Sequence, residues 1–364
     1  MSREGSEEQL RVVAVGGGTG IYAVLTGLRH VSSNITAIVS MSDNGGSSGR
    51  LRDEFGYLPP GDVRRCLVAL ASDEDSMLLR QLFEYRFDRG AGLNGHTFGN
   101  LLLTALTDIL GSTDRAVDEA GRLLRIRGQV LPVTLTDTTL CARLSDGQEI
   151  SGETDIDVRK VNHDVPISDV YLRPTATANP PVLDAIAEAD LIVLGPGDLY
   201  TSVIPNLLVE GVAPAIRASK ARRVYVCNVM TKHGETDGFA ASDFIHQIKR
   251  YLGAEDALDC AILNYHESLP PALYHKYKEE KAEPVSIDLG KCYELVPQLA
   301  IRPLTMTGAL VRHDPGRLAA TLVELVSQPE GHGPAAHLRG GQTSHLPEGQ
   351  APPVSSPPVV VAAE

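Results

Sequence analysis

The chain has 364 residues and a formal charge of −13, from 33 Lys and Arg against 46 Asp and Glu. That length holds one large domain or two, and an acidic surface lacks the positive footprint of nonspecific duplex binding. With 43% hydrophobic and 22% charged residues, no apolar run near the ~18 residues of a membrane span, and a polar, acidic start (MSREGSEEQL) unlike a signal peptide, no membrane span is expected and the cytoplasm is the default. The five cysteines, Cys66, Cys141, Cys227, Cys260 and Cys292, form no C-x-x-C pair. They read as buried small hydrophobes rather than disulfide or metal ligands.

In chain order, residues 1–10 read as a flexible N-terminus. Val12–Val15 is a buried-strand run ending in glycines, followed by a helix over Tyr22–Arg29 and a second strand, Ile35–Val39. Apolar periodicity predicts helices over Val63–Leu70, Met77–Tyr85, Asn100–Ile109 and Thr113–Leu124. From Val130 to Tyr171 the period shortens towards two, through Val133–Leu135, Cys141–Leu144 and Ile156–Val158. That stretch is expected to be an antiparallel excursion with its own hairpins.

Parallel βα units then resume with strands Leu191–Leu194 and Val224–Val226, a helix after Ile204 and another over Gly238–Leu252. A further strand is expected at Ile262–Leu263 and a terminal helix over Pro315–Val326. The pattern is an α/β fold, Rossmann-like and layered, with a mainly parallel sheet and an inserted antiparallel hairpin region. One domain spans residues 11–327. The tail 328–364, with seven Pro and five Gly in 37 residues, has the composition of disorder. Removing the −2 of each terminus leaves −9 on the body.

Five loops carry candidate chemistry. Gly16-Gly17-Gly18-Thr19-Gly20 follows the first strand and opens a helix, where free N–H groups suit a phosphate. Its spacing is G-x-G-x-G and no Walker lysine follows, so a purely structural tight turn is the alternative. The second strand leads into Ser42-Asp43-Asn44-Gly45-Gly46-Ser47-Ser48-Gly49-Arg50, on the same edge. Asp43 there is read as a ribose ligand, a Mg²⁺ ligand beside phosphates, or a turn former. Arg50 and Arg52 add forked cations suited to phosphate oxygens.

In Pro60-Gly61-Asp62-Val63-Arg64-Arg65, Asp62 is the expected N-cap. Arg64 and Arg65 oppose the helix dipole and so point to an anionic ligand. In the Gly92–Asn100 loop, His96 is a base, a hydrogen-bond donor or a structural histidine, with Asn100 a second polar contact or a helix start. Gly195–Ser202 is a further glycine loop at a strand's carboxyl end, able to close a ligand cleft from the other side. Asn228, Thr231 and Gly234-Glu235-Thr236-Asp237 fall on the same edge.

Taken together, GGGTG, SDNGGSSGRLR, PPGDVRR, NGHTFGN and GPGDLYTSVIPNLLV resemble the YvcK-type gluconeogenesis factor family, related to the 2-phospho-L-lactate transferases of coenzyme F420 synthesis. The resemblance runs from about Arg11 to Val326. It implies a Rossmann-like binder of UDP-sugars, notably UDP-N-acetylglucosamine, that influences cell shape and envelope synthesis during gluconeogenic growth. Thr19 with the glycine turn, Asp43, Asn44, Ser47, Ser48 and Arg50 would then line the nucleotide pocket, and Gly197, Asp198, Tyr200 and Ser202 would close it. Tyr277 and Arg312, in YHKYKEE and LVRHD, would be later contacts.

Relatives commonly carry two consecutive Asp where this chain has Asp43-Asn44, which weakens the case for Mg²⁺. The resemblance implies no required cofactor, a nucleotide-sugar ligand, a regulatory protein partner, and no nucleic acid; a homo-oligomer is compatible with it. No catalytic residue is assigned. The alternative is an enzyme that transfers a phospholactyl group from a nucleotide-activated donor, although the transferases' Ser-Pro-Asp-type signature is missing. An NAD-dependent oxidoreductase would rest on the glycine turn and Asp43 alone.

Overall fold

A computed structural model describes residues 10–72, 77–159, 163–265, 269–308 and 310–327. The expected flexible N-terminus and the tail from Gln328 lie outside those residues, apart from Leu10. Ten strands build the two main sheets: β1 (Val12–Gly16), β2 (Ile35–Val39), β3 (Gln129–Pro132), β4 (Thr139–Leu144), β5 (Glu149–Ser151), β6 (Ile167–Arg173), β7 (Leu191–Leu194), β8 (Arg222–Val226), β9 (Cys260–Asn264) and β10 (Gln298–Arg302). A small hairpin, β11 (Thr305–Thr307) and β12 (Val311–His313), follows them.

The seven-stranded sheet has the order β10-β9-β8-β7-β1-β2-β3, and every pairing in it is parallel. Alternate residues of one strand feed two separate cores. Val13 and Val15 join Ile38, Ile192, Leu194 and Tyr225 on one face. Val12 and Ala14 join Ile35, Val39, Val193 and Val226 on the other. Burial on both faces is why the central strands read as unbroken apolar runs. On the face of Val12 and Ala14 pack α1 (Gly18–Leu28) and α3 (Gly61–Leu70); α2 (Gly46–Phe55) lies between them in sequence. Ile21, Val24, Leu25 and Leu28 give α1 an inward stripe at helical spacing. Burying each contributes about 1.5–3 kcal/mol.

The chain steps outward from β1 to β2 and β3, makes an antiparallel excursion (order β5-β4-β6), and returns to β7 on the other side of β1. This reversal is the topological switch point of a doubly wound sheet, where a crevice opens at the strands' carboxyl ends. The α/β class, the parallel sheet and the inserted antiparallel sheet agree with the sequence reading.

Several boundaries do not. Gln129–Pro132 pairs in parallel with β2, so Val130 belongs to the main sheet's edge and not to the excursion; Val133–Leu135 forms no strand. Ile156–Val158 is no strand either. Gly152, at φ 107°, turns the chain into a short helix, Glu153–Asp157, whose first-turn acids Glu153 and Asp155 complement the dipole. The first helix starts at Gly18 rather than Tyr22, and Gly46–Phe55 is a helix despite its poor helix formers. Asp62 is not an N-cap: α3 begins at Gly61, and the carboxylate reaches away from its own helix to a backbone N–H of α1. All five cysteines are buried and unpaired, as expected.

Candidate functional site

The two glycine loops meet at the switch point. Gly18, at φ +63°, lets the chain leave β1 and enter α1 within two residues. The N-cap residue Gly17 offers no side chain to the helix's free N–H groups. From the other side, the Gly195 N–H donates to the Val15 carbonyl at 2.9 Å. Gly20 must be glycine, because a Cβ there would lie 2.2 Å from the Pro196 carbonyl oxygen. Gly20→Ala should therefore force the loops apart and destabilise by roughly 1–3 kcal/mol. Chemical denaturation measures this, and an unchanged midpoint would refute the close approach.

The predicted residues divide into those at this junction and those elsewhere. Thr19 is exposed in the first turn of α1. Ser202 lies against Gly17 and Gly18, and Gly197 packs on Ser202. Asp43 Oδ1 accepts from the Gly45 N–H at 2.9 Å, and Asn44 Oδ1 accepts from the Thr154 N–H at 2.8 Å. Asn44 thus ties the inserted segment to the site. Ser47 and Ser48 are buried in the first turn of α2, within reach of His96 and Asn100. Gly16 ends β1.

Tyr200 is packed in the core, where burial pushes its phenol up to about 12. Arg50 is exposed and donates to the Asn94 carbonyl at 3.0 Å, while Arg52 pairs with Asp137 at 2.6 Å. Arg64 is buried and donates to Asn100 Oδ1 at 2.9 Å. Its neighbour Arg65 is the cation nearer the glycines, with Nη1 4.0 Å from a Cβ built on Gly18 and 3.3 Å from Asp62. Tyr277 sits in a satellite core with Val229, Leu273 and Val311 and accepts from the Val311 N–H at 2.9 Å. Arg312 is exposed on β12, a strand in contact with α1.

Other groups at this edge escaped the sequence reading. Asn206, fully buried, donates to the Gly16 carbonyl at 3.2 Å and to the Ser202 carbonyl at 2.9 Å, binding the two loops together. Its only sequence signal is membership of the second loop's motif. Lys232 pairs with Asp157, with Asp198 at 2.8 Å and with Glu235 at 3.0 Å. Burial alone would lower its ammonium, but Glu235, Asp198 and Asp157 outweigh it and hold the group above its ordinary value. The three carboxylates present oxygens within 4.8 Å of one another. The ammonium already fills the position that a cation would take.

The local field is more acidic than the arginine-rich motifs suggest. Burial, then Asp43, raises Asp62 to about 6 against the pull of Arg65 and the Gly18 N–H. Burial, with Asp43, Asp157 and Asp62 behind it, raises Glu153 to about 8. Burial raises Glu235 to about 8 as well, despite Lys232. A small, mainly apolar cavity lined by Met41, Leu58, Val63 and Leu103 shares no residue with either glycine loop. It takes no part in this chemistry.

The switch-point crevice, a helix start whose Gly18 N–H is bonded to the Asp62 carboxylate, and facing glycine loops define a doubly wound α/β protein with a ligand-ready edge. The 2-phospho-L-lactate transferase CofD family profile matches residues 12–304, and the chain belongs to that family. It is 45% identical to a putative gluconeogenesis factor of Nostoc sp. PCC 7120, over 88% of this chain and 73% of that one. It is 44% identical to the gluconeogenesis factor of Halalkalibacterium halodurans, over 86% and 95%, and 39% identical to that of Bacillus subtilis, over 87% and 98%. The crystal structure of a UPF0052 family member from Bacillus halodurans superimposes with a TM-score of 0.81 at 41% identity, covering 87% of this chain and all of that one. Among the described residues no helix is long and apolar enough to cross a membrane.

Proposed function

We propose that this chain is a gluconeogenesis factor that binds a UDP-sugar, UDP-N-acetylglucosamine in the first instance, and passes its occupancy to a protein partner in the cytoplasm that sets envelope synthesis and cell shape. The observation that carries the reading is the meeting of two glycine loops over the start of α1, whose N-cap residue Gly17 has no side chain, at the switch point between β1 and β7. A diphosphate would lie against the free N–H groups of α1, with Arg65 and the Ser48 hydroxyl alongside. A binder needs only a difference in affinity between two conformations to signal, and the reading requires neither a cofactor nor Mg²⁺. The family's transferase name supports the alternative, transfer of a phospholactyl group from a nucleotide-activated donor.

Isothermal titration with UDP-N-acetylglucosamine, with and without Mg²⁺, tests the first reading. Saturable binding in the absence of Mg²⁺ is expected. No heat of binding, together with phosphoester transfer to a deazaflavin alcohol, would establish the second. Arg65→Ala should weaken binding roughly tenfold, the scale of one charge-assisted hydrogen bond. Equal affinity in that variant would remove Arg65 from the ligand.

A further inference from the structure

Four buried side chains from three segments form a single hydrogen-bonded line beneath the glycine edge. Arg64 Nε donates to Asn100 Oδ1 at 2.9 Å. Asn100 Nδ2 lies 3.1 Å from Ser47 Oγ and 3.4 Å from Ser48 Oγ. Ser47 Oγ lies 3.1 Å from His96 Nδ1. All four residues, and Ser48, are buried.

The directions along this line follow from donor chemistry. A guanidinium only donates, so Arg64 fixes the oxygen end of the Asn100 amide towards itself and aims the NH₂ at the serines. Both serine oxygens then accept. Among the described residues the one acceptor in reach of the Ser47 proton is His96 Nδ1, which makes His96 an Nε2–H tautomer. Burial first, then Arg50 on α2 and Arg86 on the preceding segment, lower the His96 value against Glu54, also on α2. A neutral ring with a free Nδ1 lone pair agrees with that field. Among the described residues Ser48 donates no hydrogen bond within 3.5 Å; the nearest carboxylate is that of Asp43, whose Oδ2 and Ser48 Oγ each stand 2.5 Å from a Cβ built on Gly61.

We propose that Arg64 is a positioning residue of the ligand site: through Asn100 it orients the paired hydroxyls, so that Ser47 donates inward to His96 while Ser48 holds its proton for an anionic oxygen of the ligand. The reference to a ligand rests on the nucleotide-sugar reading; the hydroxyl directions do not. Arg64 thereby acts without touching the phosphate that its place in the sequence suggests.

The test uses the full chain labelled with ¹⁵N-histidine, the His96 signals being assigned by comparison with His96→Gln. The parent should show an unprotonated Nδ1 and a protonated Nε2. In Asn100→Asp, Arg64 keeps a partner, so the fold survives. The carboxylate takes the Ser47 proton, Ser47 then accepts from His96, and the tautomer inverts. An unchanged tautomer in folded Asn100→Asp overturns the proposal, even if Arg64→Met fails to fold.

Where Arg64→Met does fold, UDP-N-acetylglucosamine affinity should fall about tenfold, the usual scale for one misdirected hydrogen bond, with partial recovery in Arg64→Lys. A lower melting temperature with parental affinity and tautomer would mark Arg64 as merely structural. If the parent binds no UDP-N-acetylglucosamine, the nucleotide-sugar reading falls, while the tautomer inversion still decides the relay.

Discussion

Between about pH 6.5 and pH 8 the ligand-free protein should lose stability as the pH rises. Asp62 moves from 3.8 to about 6 on folding, chiefly through burial, and Glu153 and Glu235 move from 4.5 to about 8. Each folded value lies above the unfolded one, so the folded state holds protons that the unfolded state releases. Their contribution is complete below about pH 4. It is lost as the pH rises through about 6 for Asp62 and about 8 for the two glutamates.

At about 1.4 kcal/mol per pKa unit, the Asp62 displacement corresponds to at most ~3 kcal/mol. Asp190, bonded to Arg11, and Asp288, bonded to Ser242, are held below their ordinary values and lend stability that is lost at lower pH still. Two buried histidines act in the opposite sense: burial lowers His313 to about 4 and also lowers His96, so each gains stability as the pH rises towards 6.5. These gains offset the Asp62 loss, and the net decline follows above about pH 6.5 through the two glutamates. Asp62→Asn keeps an acceptor for the Gly18 N–H, removes the charge and should remove the Asp62 loss between about pH 4 and pH 6, so its profile climbs more steeply there than the parent's. Melting temperature against pH in the two proteins measures this; a parental profile rising from pH 6.5 to 8, or an identical one in Asp62→Asn, would contradict it. The same carboxylate sits where a ligand phosphate would approach, so Asp62→Asn should also bind anions more tightly at pH 8.

Lys232→Met should be the most damaging single change at this edge. It strips the ammonium from Asp157, Asp198 and Glu235, which converge on it from the inserted segment, the second glycine loop and the loop after β8. Removing one partner of a buried pair typically destabilises by about 3–5 kcal/mol. The Lys232 side chain is 29% exposed, and solvent screening brings the expectation to roughly 2–4 kcal/mol. Asp198→Asn in the same background removes one repelling charge and should restore part of the loss. Urea unfolding at pH 7.5 gives both values. A loss below about 1 kcal/mol in Lys232→Met, or no rescue by Asp198→Asn, would show that solvent already screens the cluster.

The parallel strands were legible because both of their faces are buried: Val12–Val15 and Leu191–Leu194 are continuous apolar runs, and Ile35–Val39 is broken only by the β-branched Thr36. The glycine loops were legible for a related reason. Gly18 and Gly20 mark a positive φ and a close backbone approach, demands that composition displays openly. Local pattern failed where a segment is short or its role is settled from outside. Ile-Asp-Val at 156–158 alternates like a strand, yet the turn at Gly152 starts a helix there. Val130 lies beside apparent hairpin sequence, yet the edge of β2 recruits it in parallel.

Which residues share an edge, and with which charge, belongs to the tertiary structure. Arg64 and Arg65 are adjacent and chemically alike in the sequence. Helical geometry turns one inward to Asn100 and the other outward to Asp62 and the glycines. Asp62, Glu153 and Glu235 are unremarkable acids until packing strips their water and sets other carboxylates beside them. Short-range periodicity and glycine placement, being local, were enough to specify the doubly wound sheet and the loops on its carboxyl edge. Hydrogen-bond direction, desolvation and the charge of the site depend on contacts between residues as far apart as 43 and 62 or 157 and 232, and only the folded chain decides them.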